Sequence, residues 1–164
     1  MRESTKKIVV TALVAAVYAT LTLSLGFISY GPIQFRIAEV MILLAFIRKE
    51  YIIGLTLGCF LANVIGPYGV PDIVFGTTAT LMSAILVYLT SKMQKKWSLL
   101  IASLWPTIIN AIIIGAMLNI FFGVPLILGM LQVGFGQFVV ITIIGIPFFK
   151  MVNKKYGSLI ESVF

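Results

Sequence analysis

The sequence predicts an all-α integral membrane protein, a bundle of six transmembrane helices with both termini in the cytoplasm. Three observations predict it. Of 164 residues, 60% are hydrophobic and only 10% charged, with a mean hydropathy of +1.12. A soluble domain of this size has too little polar surface to cover so much apolar surface. The charges cut the chain into apolar blocks, and one crossing needs about 20 such residues at about 1.5 Å each. Finally, six crossings place eleven of the twelve basic residues on one side, as expected when Lys and Arg concentrate in cytoplasmic segments.

Span one covers residues 8–27, after Arg2, Lys6 and Lys7. A charged start before an apolar run resembles a signal peptide. The run is too long, however, and no small-residue cleavage site stands out, so it reads as a retained helix. Span two, residues 36–47, holds Glu39 and stops at Arg48 and Lys49. Span three, residues 51–65, is uncharged and leads into the turn GPYGVP. Span four, residues 73–91, ends at Lys92, Lys95 and Lys96. Residues 97–149 carry no charge and are too long for one crossing; FFGVP, with Gly123 and Pro125, breaks them into span five (98–122) and span six (126–149). Lys150, Lys154 and Lys155 follow, and the tail NKKYGSLIESVF is expected to lie along the inner surface as an amphipathic helix. Arg36 alone among the basic residues falls on the outer side.

Spans two and three are short. From Phe35 to Ile47 is roughly 20 Å as α-helix and from Tyr51 to Ile65 roughly 22 Å, against about 30 Å of hydrocarbon. With Arg48 at the inner surface, Glu39 stands about 14 Å and Arg36 about 18 Å above it, within the bilayer. The connecting segment ISYGPIQ then descends as non-helical backbone, which is tolerated only against protein or a wet cavity. The expectation is a depression open to the outside, with Arg36 and Glu39 near its floor. A charge at such depth costs about 2.5–3.5 kcal/mol on insertion scales and points to function. The plain alternative is that the two residues, three apart on one helix face, neutralise each other.

Other polar groups collect at the same level: Gln34, Asn63, Tyr68, Asp72, Asn119 and Gln137. Singly, Asn63 and Asn119 read as interhelical glue or caps, and Asp72 after Pro71 as the N-cap of span four. Their convergence makes a candidate ligand site. Tyr30, Phe35, Tyr68, Phe121, Phe122 and Phe135 stand at the rim, where an aromatic ring could stack on a flat ligand, although belt and core roles are commoner. Span one carries two overlapping A-x-x-x-A pairs, Ala12–Ala16 and Ala15–Ala19; span three has Gly54, Gly58 and Ala62, and span five Ala111 and Gly115. Small residues at this spacing let helices approach closely.

The chain has no histidine and one cysteine, Cys59, so Ser-His chemistry, haem and zinc lose their usual groups, and Cys59 reads as packing. No G-x-x-x-x-G-K-[ST] is present to grip ATP. The residues fit neither an enzyme nor a nucleic-acid binder, and no metal or cofactor is expected. They leave open a solute-binding subunit for a purine-like or vitamin-like compound and a stand-alone secondary transporter with Glu39 as proton site.

The blocks GPIQFRIAEV, GLTLGCFLANVIGPYGVPDIVFGTTATL and WPTIINAIIIG resemble the QueT family, over roughly residues 8 to 150. The resemblance implies the substrate-binding S component of an energy-coupling factor (ECF) transporter for queuosine precursors, with a six-helix S-component fold. It implies partners: one transmembrane coupling protein and two cytosolic ATPase subunits. It implies that Ala12, Ala15, Ala16 and Ala19 offer a face to the coupling protein. It implies a 7-deazaguanine substrate, held by Glu39 first, Asp72 second, with Arg36 as orienter and Gln34, Asn63 and Gln137 reading the ring edge. The sequence departs from the family pattern at Gln137, where many relatives carry an acidic residue.

Overall fold

The computed structural model describes residues 3–93 and 95–162, with side chains from Thr5 onward; Arg2, counted above among the inner charges, lies outside them. All regular structure among the described residues is helical. Helix α1 (Glu3–Ser24) and the single turn α2 (Gly26–Ser29) form the first arm. A 3-10 helix (Ile37–Leu43) then passes into α3 (Leu44–Ile47). Helix α4 (Tyr51–Ile65) runs back. A π-helical turn (Asp72–Gly76) opens α5 (Thr77–Ser91), and α6 (Ser98–Phe122) follows. The last arm comprises α7 (Leu126–Gln137), a π-helical stretch (Phe138–Gly145) and α8 (Ile146–Ser162).

Four stretches are long and apolar enough to cross a membrane: Thr5–Ser24, Asp72–Ser91, Ser98–Phe122 and Leu126–Ser162. Two shorter apolar ones, Ile37–Ile47 and Tyr51–Ile65, lie between them. Helices α4 and α6 occupy the stretches 51–65 and 98–122, because charges and the Gly123–Pro125 break are local signals for helix ends. Gly123 sits at φ 71° as the left-handed cap that ends α6.

Two expectations need correction. Span two is mostly 3-10, not α. Seven residues at about 2.0 Å in place of 1.5 Å lengthen it by about 3.5 Å. The helix of span six does not stop at residue 149 but runs on to Ser162, so the tail is helical and continuous with the last arm. That end is clasped. Lys6 donates to the Ser162 carbonyl (2.7 Å), Arg48 to Glu161 (2.6 Å) and Tyr51 to Ile160 (3.0 Å). Cationic donors suit a helix C-terminus, where carbonyls lack intrahelical partners. Lys6, Arg48 and the final turn thus meet at one end of the bundle. Lys49 and Lys92 line a cavity of about 200 Å³ beside Arg48.

Close helix contacts occur where side chains are missing. A Cβ on Gly58 would stand 2.7 Å from Tyr18 Cβ and 2.8 Å from the Ala15 carbonyl oxygen, which presses α4 onto α1. One on Gly115 would stand 2.6 Å from Met130 Cγ, which joins α6 to α7. The glycine stripes of spans three and five are therefore used inside the bundle. The main core gathers Tyr18, Ile42, Leu55, Val87 and Ile141 from five arms, and a second core joins α5, α6 and α7 around Ile109, Met117 and Val133. Outward faces remain apolar: Ile8, Leu13, Ile120, Ile127 and Leu131 are each more than 60% exposed. Hydrocarbon is the solvent such faces require.

Candidate functional site

The segment Gly31–Arg36 places the site. Gly31 and Pro32 open a turn closed by the Gln34 amide donating to the Gly31 carbonyl (3.0 Å), with proline where its fixed φ is favoured. Gln34 then takes φ 54°, a left-handed conformation uncommon outside glycine. A second tight bond, Arg36 amide to Gln34 carbonyl (2.8 Å), turns Arg36 inward. Gly136 permits this route, because a Cβ there would overlap the Ile33 carbonyl oxygen. The strain at Gln34 is sustained by the packing around it, a pattern associated with functional sites.

Arg36 faces Asp72, not Glu39. The guanidinium stands 3.5 Å from the Asp72 carboxylate, 3.7 Å from Cys59 Sγ and 5.4 Å from the centre of the Tyr30 ring. Glu39 accepts a 2.5 Å hydrogen bond from the Tyr18 hydroxyl. The expected neutral pair within span two is therefore replaced by two contacts across helices. Asp72 is not an N-cap either. The helix begins before it, its side chain makes no cap bond, and the π-turn aims the carboxylate at Arg36. Such turns interrupt regular helices most often at functional sites. Gly76 leaves room for the arrangement, since a Cβ there would lie 2.6 Å from both Asn63 Nδ2 and Asp72 Oδ1.

Asn63 donates to the Asp72 carbonyl (3.0 Å) and toward Cys59 Sγ (3.3 Å), and Thr80 donates to the same sulfur (3.1 Å). Cys59 is thus a hub of the polar cluster and not mere packing. Tyr30 and Tyr68 cover it. Their rings meet edge to face at 6.2 Å, the Tyr68 hydroxyl donates to the Tyr30 carbonyl (2.9 Å), and Tyr30 donates to Ala62 (2.7 Å).

The open depression is corrected by burial: Arg36 is 5% exposed, Gln34 4%, Gln137 3%, Asp72 1%, and Glu39 and Asn63 0%. The cluster is closed. Within it Glu39 Oε2, Asn63 Oδ1 and Gln137 Oε1 have no hydrogen-bond partner, and Asp72 Oδ2 has none beyond its ion pair. Buried polar atoms are normally satisfied, so an acceptor-only set of orphans is unusual.

Of the expected site residues, the structure brings together Gln34, Arg36, Glu39, Asn63, Tyr68 and Asp72, with Gln137 entering beside the Gly136–Ile33 contact. Asn119 stays apart. It is exposed and donates to the Val124 carbonyl (2.9 Å), holding the α6–α7 turn. Phe121, Phe122 and Phe135 point outward, while Phe122 also touches Tyr68 (5.1 Å). Tyr18 and Thr80 were missed. The signal for Tyr18 was its place three residues after Ala15 on the face that packs against α4, where a buried hydroxyl needs a partner.

The alanine stripe divides. Ala15 and Ala19 are buried, Ala15 against Gly58, whereas Ala12 and Ala16 are exposed. Of the four alanines, Ala12 and Ala16 lie on the outer face of α1.

Comparison with known proteins bears on this site and its scaffold. Residues 8–154 match the QueT transporter family, a range that contains every residue of the cluster. Over 83 residues the chain is 43% identical to the queuosine precursor transporter QueT of Lactococcus lactis subsp. cremoris (strain MG1363), covering 49% of this chain and 48% of that protein. By this match the chain spans about half the length of that curated relative. No solved structure matches. With nine-tenths of its length inside the family's range, cluster included, this chain belongs to the QueT transporter family.

Proposed function

We propose that this chain is the substrate-binding S component of an ECF-type importer for a queuosine precursor. It crosses the membrane six times with both termini in the cytoplasm, the two shorter apolar helices completing the four long ones. The ligand is a 7-deazaguanine: the aminomethyl form preQ1, the nitrile preQ0, or queuine. It enters from outside as the Tyr30–Tyr68 cover parts. A transmembrane coupling protein, docking on the Ala12–Ala16 face, and two cytosolic ATPase subunits then drive release inside. The chain itself performs no chemistry.

The observation that carries this reading is the set of buried acceptor oxygens with open hydrogen-bonding positions, on Glu39, Asn63 and Gln137, beside the Asp72 carboxylate that pairs with Arg36. A guanine edge supplies neighbouring donors, N1–H and the N2 amine, which one carboxylate accepts together. Glu39 is assigned to that edge, Asp72 stands second, and Arg36 orients Asp72. Paired hydrogen bonds of this kind discriminate among ring systems far better than apolar contact does.

The test is calorimetric binding of preQ1, preQ0, queuine and guanine to the purified chain, with Glu39→Gln alongside. A deazaguanine should bind, and the substitution should cost about 2 kcal/mol, the scale of a charged hydrogen bond left unmade. Binding by none of the four would overturn the substrate. Uptake that persists without any ATPase and collapses with the proton gradient would overturn the energising scheme in favour of a secondary transporter.

A further inference from the structure

Three charged side chains meet in the cluster, and their charges do not balance. Arg36, Glu39 and Asp72 are each at most 5% exposed. Among the described residues no other charged side chain contacts them. Their formal sum is one negative charge. Arg36 is already engaged by Asp72, the Cys59 sulfur and the Tyr30 ring. The donors beside Glu39 are neutral, the phenol of Tyr18 on Oε1 and the nearby hydroxyl of Thr80. One negative charge, shared between the two carboxylates that Arg36 faces, is therefore left uncompensated.

The remaining open positions have the same character. Asn63 Oδ1 and Gln137 Oε1 are acceptors, while the Asn63 amide nitrogen is engaged by the Asp72 carbonyl and Cys59. A buried charge without a partner is strongly unfavourable, and an entering cation cancels it. A neutral ring of equal shape can offer its N1–H and N2 amine to Glu39 but leaves the net charge of the cluster uncancelled. A nitrile fares worse, because its nitrogen is itself an acceptor facing acceptor oxygens.

We infer that the site selects deazapurines bearing an amine that is cationic at neutral pH, and discriminates against the nitrile and unsubstituted forms of the same ring. This rests on the function proposed above and narrows it from deazaguanines in general to the cationic ones. A proton on Glu39 is the competing way to cancel the charge, and it would remove the preference.

The experiment is competition binding on the full chain in lipid nanodiscs. The ligands are 7-aminomethyl-7-deazaguanine, 7-cyano-7-deazaguanine and guanine. The proteins are wild type, Glu39→Gln and Asp72→Asn. The wild type should bind the amine at least roughly tenfold tighter than the nitrile, the scale of one charged hydrogen bond. Each substitution brings the cluster to zero net charge, so the ratio should fall toward one in both. Equal wild-type affinities for amine and nitrile would sink the selectivity and leave the transport reading standing. A wild-type preference that survives both substitutions would also sink it, because the charge would not be its source. Binding of none of the three would sink the selectivity, and the transport reading falls with it only if queuine also fails to bind. Should both variants fail to fold or lose all binding, the wild-type ratio decides alone.

Discussion

Tyr18 donates a 2.5 Å hydrogen bond to Glu39, tying the middle of α1 to the 3-10 helix Ile37–Leu43 across 21 residues of sequence. Both side chains are fully buried. Tyr18→Phe keeps the ring packed and removes only the donor to Glu39 Oε1. The expected cost is about 1–3 kcal/mol of stability, read from thermal unfolding in detergent. Unchanged stability would mean that Tyr18 is packing alone.

Arg36 and Asp72 form a buried ion pair, and such pairs are worth less than the cost of breaking them. Arg36→Gln should destabilise by about 3–5 kcal/mol, because Asp72 is left buried and unpaired. The double variant Arg36→Gln with Asp72→Asn should recover much of that loss yet bind ligand weakly. A double variant as unstable as the single would show that Arg36 acts through Cys59 and Tyr30, its other two contacts.

The two alanine pairs should behave oppositely. Ala15→Leu forces bulk against Gly58 and should cost at least about 1–3 kcal/mol, the usual penalty of overpacking. Ala12→Leu and Ala16→Leu face outward, so folding and ligand binding should persist while co-purification of the coupling protein and ATPases is lost. Retained co-purification would remove that face from the proposed assembly.

Glycines separate space from backbone conformation. Gly136→Ala places a methyl group on the Ile33 carbonyl and should disrupt the turn that carries Gln34 and Arg36, lowering both stability and binding. Gly69 has nothing nearby but takes φ 64°, so Gly69→Ala should cost only about 1–2 kcal/mol through its left-handed backbone. Unfolding midpoints of the two variants test the contrast.

Asn119→Ala should change ligand affinity by less than about 0.5 kcal/mol, as expected for a surface position away from the cluster. Its amide serves the Val124 carbonyl at the C-terminal end of α6. A larger loss in calorimetry would return Asn119 to the site.

The sequence by itself determined the apolar helices, their breaks, the gathering of Lys6, Arg48, Lys49 and Lys92 at one end, and the roster of polar residues near the cluster. Those features depend on composition and spacing along one segment, where helix periodicity and the cost of charge in hydrocarbon act locally. Tertiary structure alone decided the partners. Arg36 took Asp72 in place of its near neighbour Glu39, and Glu39 took Tyr18. Cys59 became a hub, and Asn119 was left outside. The reason is geometric. The turn at Gly31–Arg36, the 3-10 path of span two and the π-turn at Asp72 set where each side chain points. All three are sustained by contacts between segments distant in sequence, such as Gly136 on Ile33 and Gly58 on Tyr18. A spacing of three residues shows only that two side chains can meet; the packing of other helices decides whether they do.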